Sequence, residues 1–351
     1  MTAVLVILLL LLAGFLIYAL AVGPKLPANT DSILDRVLGA DLPEVVSGKT
    51  GFASAGQLKI WYESISPEGP LKGTVLLISA LGGHALEWSP TIVRSIVQAG
   101  YQVIRYDQRG TGLSDWIPGW NRKDPYSITD MAGDVLAILD LLEVQKTHIV
   151  GLSMGGMIAQ EVAIQHPERV ASLVLLMTSG FIGDPDLPGP GPRFFLTSIV
   201  NGVLLLKYHV MGGEKNLIRE RILKQISAGG LEGLDIQEMA EVFLYDLRKR
   251  RGTNIRAIFQ HQTAVLISGS RYEKLKTLTM PTLVIHGTAD PLIPVEHGKK
   301  LVEAIPNARG LWLEGVGHVF PVPDMDLLMK SIVSHLEDHQ FPSASPTDNP
   351  G

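Results

Sequence analysis

Short apolar runs bounded by glycine or loop residues, alternating with helical patterns, restrict more than any other feature how this chain can fold. They occupy 73–79, 102–106, 148–152, 173–177, 282–286 and 310–313, with an earlier strand at 58–62. They are too short for core helices, and a strand covered by helices on both faces has no solvent side on which polar residues would alternate. Helical patterns stand between or after them at 90–99, 130–142, 155–166, 295–305 and 325–339. Ser89 and Pro90 make a cap and first turn for the first helix, and Thr129 is placed to cap the second. This alternation predicts an α/β fold, a mostly parallel sheet with helices on both faces. At 351 residues and 46% hydrophobic content the chain can bury one large core.

The alternation breaks once. Between 180 and 269 a Pro/Gly-rich loop at 184–192 leads into helical patterns with no strand, which reads as a helical cap inserted into a core formed by 48–179 and 270–339. At the other extreme of polarity, residues 340–351 are polar and Pro-rich, as a disordered tail is.

The first 24 residues carry no charged side chain, and 3–22 is a 20-residue run dominated by Leu, Val, Ile and Ala. A helix of about 20 residues rises roughly 30 Å, the thickness of a bilayer's hydrocarbon core. The expectation is a transmembrane anchor at 1–24, a linker at 25–47 holding Pro27 and Pro43, and a single-pass membrane protein. Lys25 and Arg36 follow the span, too few charges to set the side of the catalytic domain. The rival is a cleaved signal peptide, because Ala19-Leu20-Ala21 has the small-x-small form of a cleavage site, and the product would be secreted or periplasmic. Against it, no Lys or Arg precedes the apolar run.

Gly151-Leu152-Ser153-Met154-Gly155 falls at the junction of an apolar strand and a helix. A serine on such a tight turn stands clear of the backbone, its flanking glycines let other chains come close, and the helix amino end offers N–H groups to a developing oxyanion. Ser153 is therefore the candidate nucleophile. A serine needs a base, and the base an orienting carboxylate. Asp290 follows the strand at 282–286, and His318 follows the strand at 310–313 in a Gly-flanked loop. Both sit beyond the carboxyl ends of strands, where catalytic groups gather in open α/β sheets. His84 and His286 compete for the role of base, and Asp184 and Asp186 for that of acid.

Several ordered strings together carry a resemblance: Asp107-Gln108-Arg109-Gly110-Thr111-Gly112-Leu113-Ser114, then Gly151 through Gln160, and the segments ending at Asp290 and His318. Across roughly 48–339 the chain resembles the α/β-hydrolase fold family, in particular its capped esterase and lipase-like members, aclacinomycin methylesterase-like proteins among them. The resemblance implies that Asp107 to Ser114 form a structural loop, so that Asp107 and Arg109 are scaffold. Many relatives carry His-Gly after the third strand, where this chain has Ser79-Ala80-Leu81-Gly82-Gly83. Backbone donors do not depend on side-chain identity, so the N–H groups of Leu81 and Met154 are the candidate oxyanion hole.

The expected activity is hydrolysis of carboxylic esters by a Ser153–His318–Asp290 triad through an acyl-enzyme. The substrate would be a small-molecule or lipid ester, because Phe194, Phe195, Leu204, Leu206, Met211, Phe243 and Leu244 make the cap segment apolar. The bland alternative is that these residues pack the cap's own helices. The same triad could serve C–C or amide bonds or a perhydrolase, and a silent membrane-tethered binding protein is the reading from another class. A net charge of -5 with interspersed signs argues against nucleic acid. Absence of cysteine excludes disulfides and thiolate chemistry. No metal or cofactor is called for, since the glycine strings lack dinucleotide and phosphate-loop spacing.

Overall fold

The computed structural model describes residues 5–7, 10, 13–14, 17–18, 25–229, 234–319 and 322–340. Strands β1 (Lys49–Ala55) and β2 (Leu58–Ile65) form a hairpin, followed by β3 (Gly73–Ile78), α2 (Pro90–Gln98) and β4 (Tyr101–Tyr106). A short helix, α1 (Thr30–Gly39), precedes them. Then come α3 (Ile128–Leu141), β5 (Thr147–Leu152), α4 (Met154–Gln165) and β6 (Val170–Leu176). Helices α5 (Pro192–Met211), α6 (Gly213–Gly229), α7 (Ile236–Lys249), α8 (Ile255–Ile267) and α9 (Tyr272–Leu275) intervene before β7 (Thr282–Gly287). The chain closes with α10 (Val295–Ala304), β8 (Arg309–Leu313) and α11 (Val322–Glu337).

The eight strands make one sheet in the order β1-β2-β4-β3-β5-β6-β7-β8. β2 is antiparallel to β1 and β4, and all pairings from β4 to β8 are parallel. Residues along the central strands divide between two cores. Leu76, Ile78, Ile149, Leu173 and Leu175 face α3, α4 and α10, whereas Val75, Leu77, Val150, Val174 and Leu176 face α2 and α11. Each fully buried aliphatic side chain contributes about 1.5–3 kcal/mol, so the two-sided burial that made these runs continuously apolar is also what holds the sheet.

β1 escaped the sequence reading because Ala53 is its one buried residue, so no apolar period marks it. The cap of α3 is Ser127, two residues before Thr129: its hydroxyl accepts from the Asp130 N–H, and the Asp130 carboxylate accepts from the Ser127 N–H at 2.7 Å. Ser-x-x-Asp is the sequence signature of this reciprocal pairing.

The stretch at 25–47 carries α1, whose Ile33, Leu34 and Val37 pack on Ile218 and Ile222 of α6 and Ala240 and Leu244 of α7. Beyond it, Glu63 accepts from the Ser47 and Gly48 N–H groups at 2.8 and 2.7 Å and pairs with Arg105 at 2.7 Å, while Arg105 also donates to the Val45 carbonyl at 2.7 Å. That buried ion pair ties the incoming chain to the sheet.

The single-pass anchor is corrected here. Among the described residues no helix is long and apolar enough to cross a membrane. A crossing needs about 20 continuous apolar helical residues, and none of the described helices supplies them. The membrane localisation built on that span falls with it. The remainder of 1–24 and the tail at 341–351 lie outside the described residues.

Buried histidines make stability depend on pH, His148 and His335 among them. His148 on β5 bonds Ser172 at 2.8 Å beneath the edge of Tyr101, and His335 is buried on α11. Burial pushes each imidazole from about 6.5 down to about 4. Between those values only the unfolded chain takes up these protons, so the two histidines' contribution to stability is full above about 6.5 and is lost as pH drops toward 4. The slope is at most about 1.4 kcal/mol per pH unit for each histidine. Urea melts across that range will show this decline, and replacement of His335 by Gln will make it shallower by that histidine's share.

Candidate active site

β5 runs directly into α4 through Ser153, whose backbone has φ 54° and ψ −117°. A positive φ costs a non-glycine residue on the order of 1–3 kcal/mol and persists where surrounding bonds fix it. Here the Ser153 N–H donates to the Leu176 carbonyl at 2.8 Å, and the Ser153 carbonyl accepts from the Thr178 hydroxyl at 2.6 Å and the Gly156 N–H at 2.9 Å. Three glycines allow the approach. A Cβ on Gly155 would strike the carbonyl oxygens of Ile78 and Ser79, one on Gly151 would meet Gly155, and one on Gly156 would meet Thr178 at 2.6 Å. The amino end of α4 is thereby pressed against the end of β3. Met154 opens α4, so its N–H is among those a helix leaves unpaired.

Asp290 and His318 come from loops after β7 and β8 that are laced to each other. Thr288 N–H donates to the Leu313 carbonyl at 2.9 Å, Ala289 N–H to Val316 at 3.0 Å, and Gly315 N–H to the Thr288 hydroxyl at 2.9 Å. The result brings His318 Nδ1 to 2.6 Å from Asp290 Oδ2. Asp290 Oδ1 accepts from the N–H groups of Leu292 and Ile293 at 2.8 and 2.9 Å. Burial by itself would push this carboxyl up, but hydrogen bonds from His286, His318 and the Ile293 backbone outweigh it and hold Asp290 far below the usual carboxylate range. Asp290 is thus an anion at any working pH. A carboxylate accepts only, so the His318 proton lies on Nδ1 and Nε2 keeps its lone pair.

The rivals have other partners. His286 Nε2 donates chiefly to the Ile293 carbonyl at 2.7 Å and lies 3.5 Å from Asp290 Oδ2, a longer approach than that of His318. His84 Nδ1 accepts from the Leu86 N–H at 3.3 Å, and burial lowers its pKa. Asp184 pairs with Lys300 at 2.5 Å. In the loop after β4, Asp107 accepts from the Ala85 and Leu113 N–H groups at 3.0 and 2.7 Å and pairs with Arg250 of the α7–α8 connection. Arg109 grips Asp134 with two bonds of 2.7 Å.

After β3, Gly83 N–H donates to the Ala80 carbonyl at 3.0 Å, and Gly82 N–H to His261 Nδ1 on α8 at 3.0 Å. Among the described residues the Leu81 N–H has no such partner. Sequence reasoning did not find His261 or the buried group in which Arg221 pairs with Asp246 at 2.7 Å while Arg250 pairs with Asp107. These partners are separated by tens to more than a hundred positions, and no local spacing announces them. Among the described residues no cluster of His, Asp and Glu could hold a metal ion.

A mostly parallel sheet that carries at its carboxyl edge both a strand–serine–helix turn and laced Asp and His loops defines an α/β-hydrolase. The sequence profile of the alpha/beta hydrolase fold matches residues 73–323, and the chain belongs to that family. Rhodomycin D methylesterase of Streptomyces sp. (strain C5) is 29% identical over 315 residues, 82% of this chain and 97% of the relative. A 2-hydroxy-6-oxononadienedioate/2-hydroxy-6-oxononatrienedioate hydrolase of Cupriavidus pinatubonensis is 31% identical over 270 residues, 70% of this chain and 80% of the relative. An esterase from Exiguobacterium antarcticum shares the fold with a TM-score of 0.63 at 21% identity, over 83% of this chain and 100% of that one. The protein is an enzyme, an α/β hydrolase of the esterase type.

Backbone carbonyls cannot retreat as a flexible side chain can, so Gly155→Ala will destabilise the protein by at least about 1–3 kcal/mol. Gly119→Ala, where nothing lies within 4 Å of the added carbon, will be near neutral. Urea unfolding of the two variants measures the difference.

Proposed function

We propose that the protein is a serine esterase acting on small-molecule carboxylic esters through a Ser153–His318–Asp290 triad. The observation that carries this reading is the 2.6 Å bond between His318 and Asp290, which keeps a lone pair on Nε2 for a proton from Ser153. Ser153 Oγ attacks the ester carbonyl as His318 Nε2 takes its proton. The N–H groups of Leu81 and Met154 stabilise the tetrahedral oxyanion. Collapse breaks the C–O bond, His318 protonates the departing alcohol, and the acyl group remains on Ser153. His318 then deprotonates a water that attacks the acyl carbon, and the acid leaves with Ser153 restored. Asp290, held ionised, stabilises the imidazolium in both halves.

Residues 180–269 act in this reading as a cap. Two contacts support that role: the Ala228 carbonyl of α6 accepts from the His318 N–H at 3.2 Å, and Ile258 of α8 fills the space where a Gly82 Cβ would stand. A compact substrate suits it better than a long acyl chain. Phe243 and Leu244 are engaged with Ile33, Leu34 and Ile222 in packing the helical segment, and Leu206 and Met211 are exposed. The side chain of Phe195 lies outside the described residues. The methylesterase name carried by the Streptomyces relative is consistent with a small alcohol leaving group.

Ser153→Ala will lower kcat for an aryl ester by roughly six orders of magnitude and abolish labelling by a fluorophosphonate. Near-full activity in that variant rejects the assignment. Asp290→Asn will cost about 10⁴-fold in kcat, because the amide favours the wrong imidazole tautomer. Across a series of p-nitrophenyl esters, turnover will be highest for short acyl chains.

A further inference from the structure

In the segment after β3, the N–H groups of Gly83, Ala85, Leu86 and Glu87 are engaged by Ala80, Asp107 and His84. The Gly82 N–H is taken by a side chain 179 positions away, His261 Nδ1, at 3.0 Å. His261 belongs to α8, whose Asn254 and Gln260 donate to the Gly110 and Ile117 carbonyls at 2.8 and 3.1 Å, so the helix is docked on the loop after β4. The other ring nitrogen, Nε2, is 2.9 Å from the Arg109 carbonyl. A carbonyl cannot donate, so the proton must be on Nε2, and Nδ1 is left as the acceptor that Gly82 requires.

The ring has no freedom to do otherwise. It is fully buried, its edge meets Tyr126 at 6.2 Å, and the Arg109 guanidinium that lies over Tyr126 at 5.0 Å is itself held by Asp134. Burial, together with the nearby Arg109 charge, pushes this imidazole down to about 4, so it stays neutral across the range where an esterase works. Gly82, at φ 72°, abuts Ile258 of the same helix. The peptide next to Leu81 is thus fixed by α8 from two sides.

We infer that His261 is a positioning residue of the esterase: by accepting from the Gly82 N–H it aims the neighbouring Leu81 N–H at the oxyanion, making the inserted helical segment a part of the catalytic apparatus. The inference rests on the serine-esterase reading above. Losing one oxyanion donor costs about 10²–10³ in kcat, and misaiming a donor that remains present costs less, about 10–10².

Two near-isosteric substitutions separate this role from mere docking of α8. Asn places its Oδ1 where Nδ1 stands and keeps the bond to Gly82 while losing the bond to Arg109. Gln places its Nε2 near the other nitrogen and does the reverse. Measured on p-nitrophenyl acetate, His261→Gln will lose about 10–10² in kcat with KM little changed, whereas His261→Asn will stay within about threefold of wild type. Equal losses in the two variants, losses confined to KM, or losses that simply follow Tm overturn the inference while wild-type labelling of Ser153 by a fluorophosphonate leaves the esterase reading intact. A wild type that is never labelled overturns both. Hydrogen exchange of the wild type supplies a readout independent of variant folding: a protected Gly82 amide is expected, and exchange at the rate of a free amide overturns the inference.

Discussion

Everything at the reactive edge of this protein depends on how closely the amino end of α4 approaches the end of β3. Any side chain at Gly155 would collide with the carbonyl oxygens of Ile78 and Ser79, and any at Gly151 with Gly155 itself. Removing those side chains lets a helix begin within one residue of a strand, which drives Ser153 to φ 54°. The cost of that conformation, about 1–3 kcal/mol, is offset by bonds to Leu176, Thr178 and Gly156. The same approach sets the unpaired N–H groups of α4 beside the loop that follows β3, so the serine and both candidate oxyanion donors derive from one packing event.

The loops after β7 and β8 achieve a second juxtaposition by lacing rather than by helix packing. Their cross-bonds bring Asp290 and His318 together and leave one tautomer of the imidazole. The helical segment is joined to the core at several places, among them Ala228 to the His318 backbone, Ile258 and His261 to Gly82, and Arg250 to Asp107. The last belongs to a buried ionic group with Asp246 and Arg221. Buried ion pairs repay little of their desolvation in net stability, but breaking one leaves a charge stranded, which penalises any other placement of these helices. Arg250 further stacks on Trp61 at 4.5 Å, so part of its contribution is packing of the guanidinium plane.

Legibility in the sequence followed burial. β3, β6 and β7 are buried along their length and β5 in all but its last residue, and their apolar runs were unmistakable, whereas β1 buries only Ala53 and left no trace. Likewise α1 appeared as a Pro-flanked linker, because a ten-residue helix with three buried aliphatics reveals its purpose only beside α6 and α7. The anchor expected from the run at 3–22 is the reverse case. Apolar composition alone suggested a span that no described helix supplies.

From the sequence alone came the parallel α/β architecture, the strand–serine–helix junction and the position of Asp290 and His318 just past strand ends. Each of these is written in contiguous residues, since period, glycine placement and turn chemistry act over a few positions. Only the tertiary structure decided that Asp290 bonds His318 at 2.6 Å with His286 a more distant neighbour at 3.5 Å, that Asp184 is engaged by Lys300, and that His261 meets Gly82 across 179 positions. Those outcomes depend on how strands are ordered in the sheet and on where an inserted helix docks, and no local pattern encodes a contact between residues that come together only after the core has closed.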